Sequence, residues 1–260
     1  MEEEQKKYLY YAIPIAVVIA IGAALYYGKR HREEAVASQQ ATTQTQGEAP
    51  ATPPEHHPIE PAPATETLPT LAESDATVQA SLDDVFGRGI EQYLVPKNII
   101  RHFVVTVDNL PRKKNAAQMW PVKPLGGELR TSTGDELTLN ESNYERYKPL
   151  VKLATNSDTK QLVAMYKRFY PLFQQAYVDL GYPEGYFNNR LVEVIDHLLE
   201  TPEVEGQVKL VQPGVFYEFA DPSLESRSSG QKLLLRMGRD NAAAVKLKLR
   251  ELRREIAKRE

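Results

Sequence analysis

An uncharged run of twenty residues near the start of the sequence, Tyr8 to Tyr27, constrains this chain more than any other feature. At about 1.5 Å per residue, a helix of this length spans roughly 30 Å, the thickness of a bilayer's hydrocarbon core. Its tyrosines lie at both ends, where amphipathic rings favour the headgroup region. A core helix of this length would rarely be apolar on every face. The sequence therefore predicts one transmembrane helix over residues 8–28, after a flank of residues 1–7.

Basic residues flank the predicted span on both sides, and the positive-inside rule slightly favours the side after the span as cytoplasmic, whereas the basic residues and the free amino group before the span favour the opposite orientation. Lys6 and Lys7 precede the span, whereas Lys29, Arg30 and Arg32 follow it. We expect the N-terminus to lie inside and the rest of the chain outside, because the segment that follows has the composition of a tether through a cell envelope.

That segment, residues 33–68, is rich in proline, alanine, threonine, glutamine and glutamate, and it contains no lysine or arginine. Such a composition cannot bury enough apolar surface to offset the entropy of ordering the chain. It predicts a disordered linker with polyproline character. His56 and His57 lie within it, and we interpret them as a solvated pair rather than as metal ligands.

Residues 69–260 are numerous enough for one compact domain with its own core. The whole chain has 32 Lys and Arg against 35 Asp and Glu, so nothing predicts a nucleic-acid-binding protein. The absence of cysteine excludes a disulfide framework and thiol chemistry.

Hydrophobic periodicity predicts a mainly α domain with a small β-hairpin. The hairpin is expected over residues 128–139, around Thr133-Gly134-Asp135. Asp158 with Gln161 forms a capping box for one long helix, which we expect to end at Gly181. The other helices are expected over residues 74–87, 96–110, 144–151 and 191–199 and from residue 239 onwards.

The last of these helices carries an apolar stripe at a four-three-four spacing, formed by Val245, Leu249, Leu252 and Ile256. This spacing suits packing against another helix. Two interpretations are open: the stripe packs on its own domain, or it pairs with a second copy in a homodimer.

Several longer segments carry a resemblance to a known family. They are Phe103-Val-Val-Thr-Val-Asp-Asn-Leu-Pro-Arg112, Gly181-Tyr-Pro-Glu-Gly-Tyr-Phe-Asn188, Val194-Ile-Asp-His-Leu-Leu-Glu-Thr-Pro202 and Ser229-Gly-Gln-Lys-Leu-Leu-Leu-Arg-Met-Gly238. They resemble an uncharacterised family of Gram-negative envelope proteins known only as a domain of unknown function. The likeness covers residues 68–252 and extends to the layout of anchor, tether and domain. It implies a bacterial inner-membrane protein with a periplasmic C-terminal domain, and it brings no catalytic residues.

The search for catalytic chemistry yields one short motif. Ser229 and Lys232 match the Ser-x-x-Lys of penicillin-binding enzymes, but the accompanying Ser-x-Asn and Lys-Thr-Gly elements are missing. We interpret Ser229 as a helix N-cap and Lys232 as a solvated first-turn residue. We therefore predict a domain without catalytic residues; the enzymatic alternative is a wall hydrolase or Ser-Lys acyl enzyme.

Metal and cofactor sites are not expected either. Glu193 and His197 share one helical face, but zinc needs at least a third protein ligand; a Glu-His pair on a polar helix face is the simpler interpretation. Asp108 and Asn109, which precede Leu110-Pro111, predict a turn.

Two groups of residues are candidates for binding. Arg112, Lys113 and Lys114 with Trp120 could hold an anionic lipid headgroup, a glycan or an acidic peptide. The alternative is a solvated charge run beside a core tryptophan.

The second group is aromatic. Tyr182, Tyr186 and Phe187 follow a helix that is already rich in tyrosine and phenylalanine, and they could line a groove for a peptide or sugar. The alternative is that these rings belong to the core. Together the two groups predict a non-catalytic interaction domain that binds protein, peptidoglycan or glycan from a flexible tether.

Overall fold

The computed structural model describes residues 57–59, 67–113, 117–134 and 136–257. The predicted span over residues 8–28, its N-terminal flank, most of the predicted linker and Lys114 lie outside the described residues. In the part of the chain that is described, no helix combines the length and apolar character needed to cross a membrane.

The described chain is mainly helical with small antiparallel β-ribbons, which confirms the predicted fold class of the domain. The helices are α1 (Asp75–Phe86), α2 (Ile99–Asn109), α3 (Ser142–Glu145), α4 (Lys148–Asn156), α5 (Thr159–Asp179), α6 (Phe187–Leu199), α7 (Pro222–Glu225), α8 (Ser229–Arg236) and α9 (Arg239–Ile256). Short 3₁₀ turns cover Arg88–Ile90 and Ala117–Met119.

Two ribbons form the β structure. The predicted hairpin is present, with β1 (Thr131–Thr133) antiparallel to β2 (Leu137–Leu139). A second ribbon pairs β3 (Leu210–Val211) with β4 (Glu218–Phe219). The Leu139 amide donates to the Val208 carbonyl at 2.8 Å, which joins the two ribbons side by side.

Local signals place most helix ends. Asp158 caps α5, because its Oδ1 accepts a hydrogen bond from the Gln161 amide at 2.9 Å. Gly87, at φ +73°, ends α1 in a conformation that favours glycine. The start of α2 differs from the expected Pro96. Asp75 on α1 accepts hydrogen bonds from the amides of Asn98 and Ile99, so a residue distant in sequence sets where α2 begins.

The main core lies among α2, α5, α6 and α9. Val104, Phe169, Phe187 and Val194 are almost completely buried in it. The rings of Phe103 and Phe187 meet edge to face, 6.3 Å apart. The stripe on α9 is packed here as well, with Ile256 buried and the others half-buried against the core. It is therefore engaged by its own domain and is not an open face in the described protomer.

Two lysines of α9 are buried. Each donates a hydrogen bond to a carbonyl at the C-terminal end of a neighbouring helix, which compensates for the loss of water around its charge. Lys246 Nζ donates to the Thr201 carbonyl after α6, and Lys248 Nζ donates to the Ser157 carbonyl after α4, both at 2.5 Å. Removal from water lowers the pKa of the Lys246 ammonium, although the charge of Glu203 opposes this shift.

The end of the predicted linker is packed on the domain, so the interpretation of His57 as a solvated residue is wrong. His57 is only 7% exposed. Its amide donates to Asn189 Oδ1 at 2.8 Å, and its carbonyl accepts from Asn188 Nδ2 at 2.9 Å. Ile59 packs against the main core. The two neighbouring asparagines of α6 satisfy the His57 backbone, which allows this polar segment to be buried.

A smaller apolar cluster lies beneath the ribbons. It consists of Leu139, Val208, Leu210, Phe219 and Leu235. The side chains of β3 and β4 alternate between this cluster and solvent, so Phe219 is 3% exposed while its neighbour Glu218 faces solvent.

Candidate functional site

The carboxylate of Asp108 is a buried charged group that is bonded to three other side chains. It lies in the last turn of α2 and is 3% exposed. The helix α2 continues through Asp108 and Asn109, and the predicted turn follows from Asn109, whose carbonyl accepts a hydrogen bond from the Arg112 amide at 2.9 Å. The Asp108 side chain accepts hydrogen bonds from Arg112 Nη2 at 2.5 Å, Arg190 Nε at 3.1 Å and the Tyr182 hydroxyl at 3.3 Å.

Arg190 on α6 supplies the buried counter-charge in this network. Its side chain is 18% exposed, and its Nη2 also donates to the Asp108 carbonyl at 2.9 Å. Burial by itself would lower the pKa of the Arg190 guanidinium, but the hydrogen bond and charge of Glu193, with the charge of Asp108, raise it above its ordinary value. Arg190 was not predicted from the sequence, where its only local signal is Glu193 three residues later on the same helix.

The turn between α5 and α6, residues 181–186, is held in one conformation. Gln174 on α5 donates to the Gly185 carbonyl at 2.7 Å and accepts from the Phe187 amide at 2.9 Å. The Tyr182 ring stacks on the Tyr177 ring with centroids 4.6 Å apart. A Cβ at position 185 would lie 2.8 Å from Tyr177 Cε1, so glycine is required by the close approach of this ring.

These contacts bring together residues from both groups of binding candidates. Arg112 and Tyr182 both bond to Asp108, and Arg112 Nη2 lies 3.2 Å from the Tyr182 hydroxyl. The Arg112 side chain is still 53% exposed, and Tyr186, in the same turn as Tyr182, is 54% exposed. Lys113 is also exposed. We call Arg112, Lys113, Tyr182 and Tyr186 the Arg112 surface.

Two candidates do not join this surface. Phe187 is fully buried in the aromatic core, so its predicted role in a binding groove is wrong. Trp120 is half-buried, and within the described residues its Nε1 is buried without a hydrogen-bond partner. The sequence could not separate Phe187 from Tyr186, because the direction in which each ring points depends on how α6 starts.

The Ser-x-x-Lys motif has structural contacts instead of a nucleophilic arrangement. Ser229 Oγ donates to the carbonyls of Asn109 and Leu110 at 3.3 and 3.2 Å. Lys232 Nζ pairs with Glu225 at 2.6 Å and is 15% exposed, so the interpretation of Lys232 as a solvated residue is wrong. The N-cap of α8 is Ser228, not Ser229, because Ser228 Oγ accepts from the Gln231 amide at 3.2 Å.

The expected Glu193–His197 pair is not formed, since Glu193 bonds to Arg190 instead. His197 Nε2 lies 2.8 Å from Ser228 Oγ. That oxygen is buried and already caps α8, an arrangement that stabilises the fold rather than presenting a nucleophile. Across the described ranges, no group of three or more His, Cys, Asp or Glu side chains could hold a metal ion.

A cleft of about 490 Å³ opens beside the N-terminal end of α9. Tyr144, Asn241 and Lys246 contribute to its lining. Burial, and the nearby charge of Glu141, raise the pKa of the Tyr144 hydroxyl. Lys246 donates to the end of α6, and Asn241 Nδ2 donates to the Tyr144 carbonyl at 3.0 Å. Both polar groups are therefore occupied in holding the walls together.

Comparison with known proteins gives one match. The family model described as "Protein of unknown function (DUF3014)" matches residues 99–253, a range that includes Asp108, the Arg112 surface and most of α9. No curated protein and no solved structure matches this chain.

Proposed function

This chain belongs to the DUF3014 family of proteins of unknown function, and from that premise we propose that it is a single-pass, membrane-anchored protein of the bacterial envelope. In this proposal, residues 8–28 form the anchor and the described domain is a non-catalytic binding module in the periplasm. The support for the anchor is the uncharged run with tyrosines at both ends.

The observation that carries the binding role is the way in which Asp108 holds an exposed guanidinium. A solvated arginine normally samples many rotamers and loses that freedom when it binds. Arg112 is already fixed at 2.5 Å from a buried carboxylate, while half of its side chain faces solvent. A surface that is ordered before binding loses less entropy when a ligand arrives.

The exposed donors of the surface suit an anionic group of the ligand. Arg112 and Lys113 are exposed cations, whereas Asp108 is buried against Arg190. With Glu184 and Glu193, the nearby carboxylates equal the three cations in number, so the two exposed cations, and not the net charge, favour the anion. A guanidinium presents a planar set of donors that matches a carboxylate. The adjacent tyrosine rings offer flat amphipathic faces. Peptidoglycan combines sugar rings with carboxylate-bearing peptide stems, so we propose peptidoglycan as the ligand.

The hydrolase alternative has no specific observation in its favour. Ser229 donates to backbone carbonyls and Lys232 pairs with Glu225, so neither is poised for acyl transfer. A homodimer through the α9 stripe would require that stripe to leave its own core.

The test is sedimentation of the detergent-solubilised full chain with isolated peptidoglycan sacculi. We expect Arg112→Ala to reduce the affinity about tenfold, which corresponds to the loss of one charge-assisted hydrogen bond. Tyr186→Ala should also weaken binding, and because Tyr186 lies outside the Asp108 network it reports binding if Arg112→Ala impairs folding. Raising the salt concentration should weaken the wild type more than Arg112→Ala.

Lys160→Ala is the matched control. Lys160 is an exposed cation at the opposite end of α5, about 30 Å from the turn that carries Tyr182. Equal sedimentation of wild type, Arg112→Ala and Tyr186→Ala would rule out the Arg112 surface as the binding site. If the wild type does not sediment with sacculi, peptidoglycan is not the ligand.

A further inference from the structure

The turn between β3 and β4, residues 212–217, carries the two most exposed of the large apolar side chains on the described surface. Val215 is 83% exposed and Phe216 is 80% exposed, while Val211 at the start of the turn is 44% exposed. The sequence from Leu210 to Tyr217 contains no charged residue. Exposed apolar side chains of this kind, with no charged residue in the same turn, are typical of a contact site.

The base of this turn is fixed, so the exposure of the tip is a property of the fold. Leu210 pairs with Phe219 across the ribbon, and both are buried in the smaller apolar cluster. The Phe219 amide also donates to Glu225 Oε2 at 2.9 Å. Because Phe219 is held inside, Phe216 is presented at the end of a protruding ribbon.

We propose that Val215 and Phe216 form a tip that inserts into the interfacial layer of the bilayer in which the predicted span lies. The tip is convex and consists of only two large apolar side chains. A folded protein partner would need a matching cavity for them, whereas the boundary of a bilayer accepts such side chains without a preformed shape. The interfacial layer is also the preferred depth of aromatic side chains.

The length of chain before the described domain brings the bilayer within reach. Residues 29–56 separate the predicted span from His57, the first described residue. As a coil, this segment has a mean end-to-end distance of about 30 Å. A domain of this size has a radius of gyration of about 17 Å. The domain would therefore meet the membrane surface frequently, at a high effective concentration.

This inference goes beyond the binding role and depends only on the proposed anchor. It assigns a second function to the domain, which is to touch the membrane and thereby restrict its own orientation. The Arg112 surface, which lies on different elements, is not needed for it.

The test uses the absence of cysteine from the natural chain, which makes every introduced label unique. A nitroxide is attached to V215C in the full chain, which is then reconstituted into phosphatidylethanolamine–phosphatidylglycerol vesicles. We expect the label to be more accessible to oxygen than to a water-soluble nickel complex. The same label on K160C should show the opposite preference.

A second variant shows whether Phe216 causes the insertion. In V215C combined with F216S, we expect accessibility to the nickel complex to rise several-fold. A V215C label that stays water-accessible in vesicles would overturn the proposal. So would dipolar broadening between labels, because it would place the tip against a second copy. If the protein does not float with the vesicles, the proposed anchor is wrong and the proposed insertion fails with it. Binding to sacculi would be unaffected by that result.

Discussion

Two turns of this domain carry aromatic residues near the surface, and they differ in how firmly those residues are held. In the α5–α6 turn, Tyr182 stacks on Tyr177 and bonds to the buried Asp108. In the β3–β4 turn, Phe216 is 80% exposed, and its ribbon is fixed only at the base. The first turn is connected to the core by hydrogen bonds and ring stacking, whereas the second contacts the smaller apolar cluster through Tyr217 and leaves Phe216 exposed.

The difference shows that exposure alone does not identify a functional residue. Arg112 and Tyr186 are about as exposed as many surface residues. Arg112 stands out as a candidate for binding because a buried carboxylate holds its guanidinium in place. Phe216 is informative for the opposite reason, since exposing it is unfavourable and no contact on the described surface compensates. Four substitutions test this contrast.

The largest effect is expected from Asp108→Ala. It would leave the guanidinium of Arg190 without its buried counter-charge, and removing one partner of a buried pair costs about 3–5 kcal/mol. The measurement is urea unfolding of the variant and the wild type. Asp179→Ala is the control, because its ion pair with Arg101 is exposed and should contribute at most about 1 kcal/mol. Equal effects would mean that the Asp108 network does not support the turn.

The next largest effect on stability is expected at a glycine of the α5–α6 turn, and a glycine of the β3–β4 turn provides the comparison. Gly185→Ala places a methyl group 2.8 Å from Tyr177 Cε1, so we expect a loss of about 1–3 kcal/mol in unfolding free energy. Gly214→Ala, in the β3–β4 turn, meets no atom within 4 Å and should change stability by less than about 0.5 kcal/mol. A larger loss at position 214 than at 185 would reverse the proposed contrast.

A smaller, pH-dependent effect on the unfolding free energy is expected from Glu225, which bonds to the base of the β3–β4 ribbon. Burial by itself would raise the pKa of the Glu225 carboxyl, but hydrogen bonds from Lys232 and the Phe219 amide, with nearby positive charge, lower it overall. A carboxyl whose pKa is lower in the folded state stabilises the fold above its unfolded pKa of about 4.3 and loses this effect as the pH falls through the folded value.

We therefore expect the wild type to be more stable than Glu225→Gln by about 1 kcal/mol at pH 7. The difference should disappear as the pH falls below about 4. Thermal unfolding across this pH range measures it. Glu218→Gln, an exposed carboxyl on the same ribbon, should differ little from the wild type at any pH. A difference for Glu225→Gln that is constant with pH would contradict the role of its charge.

The smallest effect on stability is expected from Phe216→Ser. The ring is 80% exposed, so its removal should change the unfolding free energy by less than about 0.5 kcal/mol. Differential scanning fluorimetry in detergent is sufficient to measure this. A loss above 1 kcal/mol would show that the tip packs on the domain and would remove the contrast between the turns.

Elements with strong local signals were predictable. The Asp158 cap, the hairpin around Gly134 and the start of α9 at Arg239 all lie where the sequence places them. The candidate site was only partly predictable. Arg112 and Tyr182 were identified by residue type, but Asp108 was interpreted as part of a turn and Arg190 was missed, because the contact between these two residues spans 82 positions of the sequence.

Sequence patterns alone determined the helical class of the domain and the positions of several helix ends and of the first hairpin, because caps, periodicity and glycines act over a few residues. Tertiary structure decided which polar groups are buried. Tyr182 and Arg190 reach Asp108 across 74 and 82 residues, His57 meets Asn188 across 131, and Lys248 meets Ser157 across 91. Burying a charge or a polar backbone group is unfavourable unless a hydrogen-bond or ion-pair partner is present. In these cases the packing of elements distant in sequence supplies that partner.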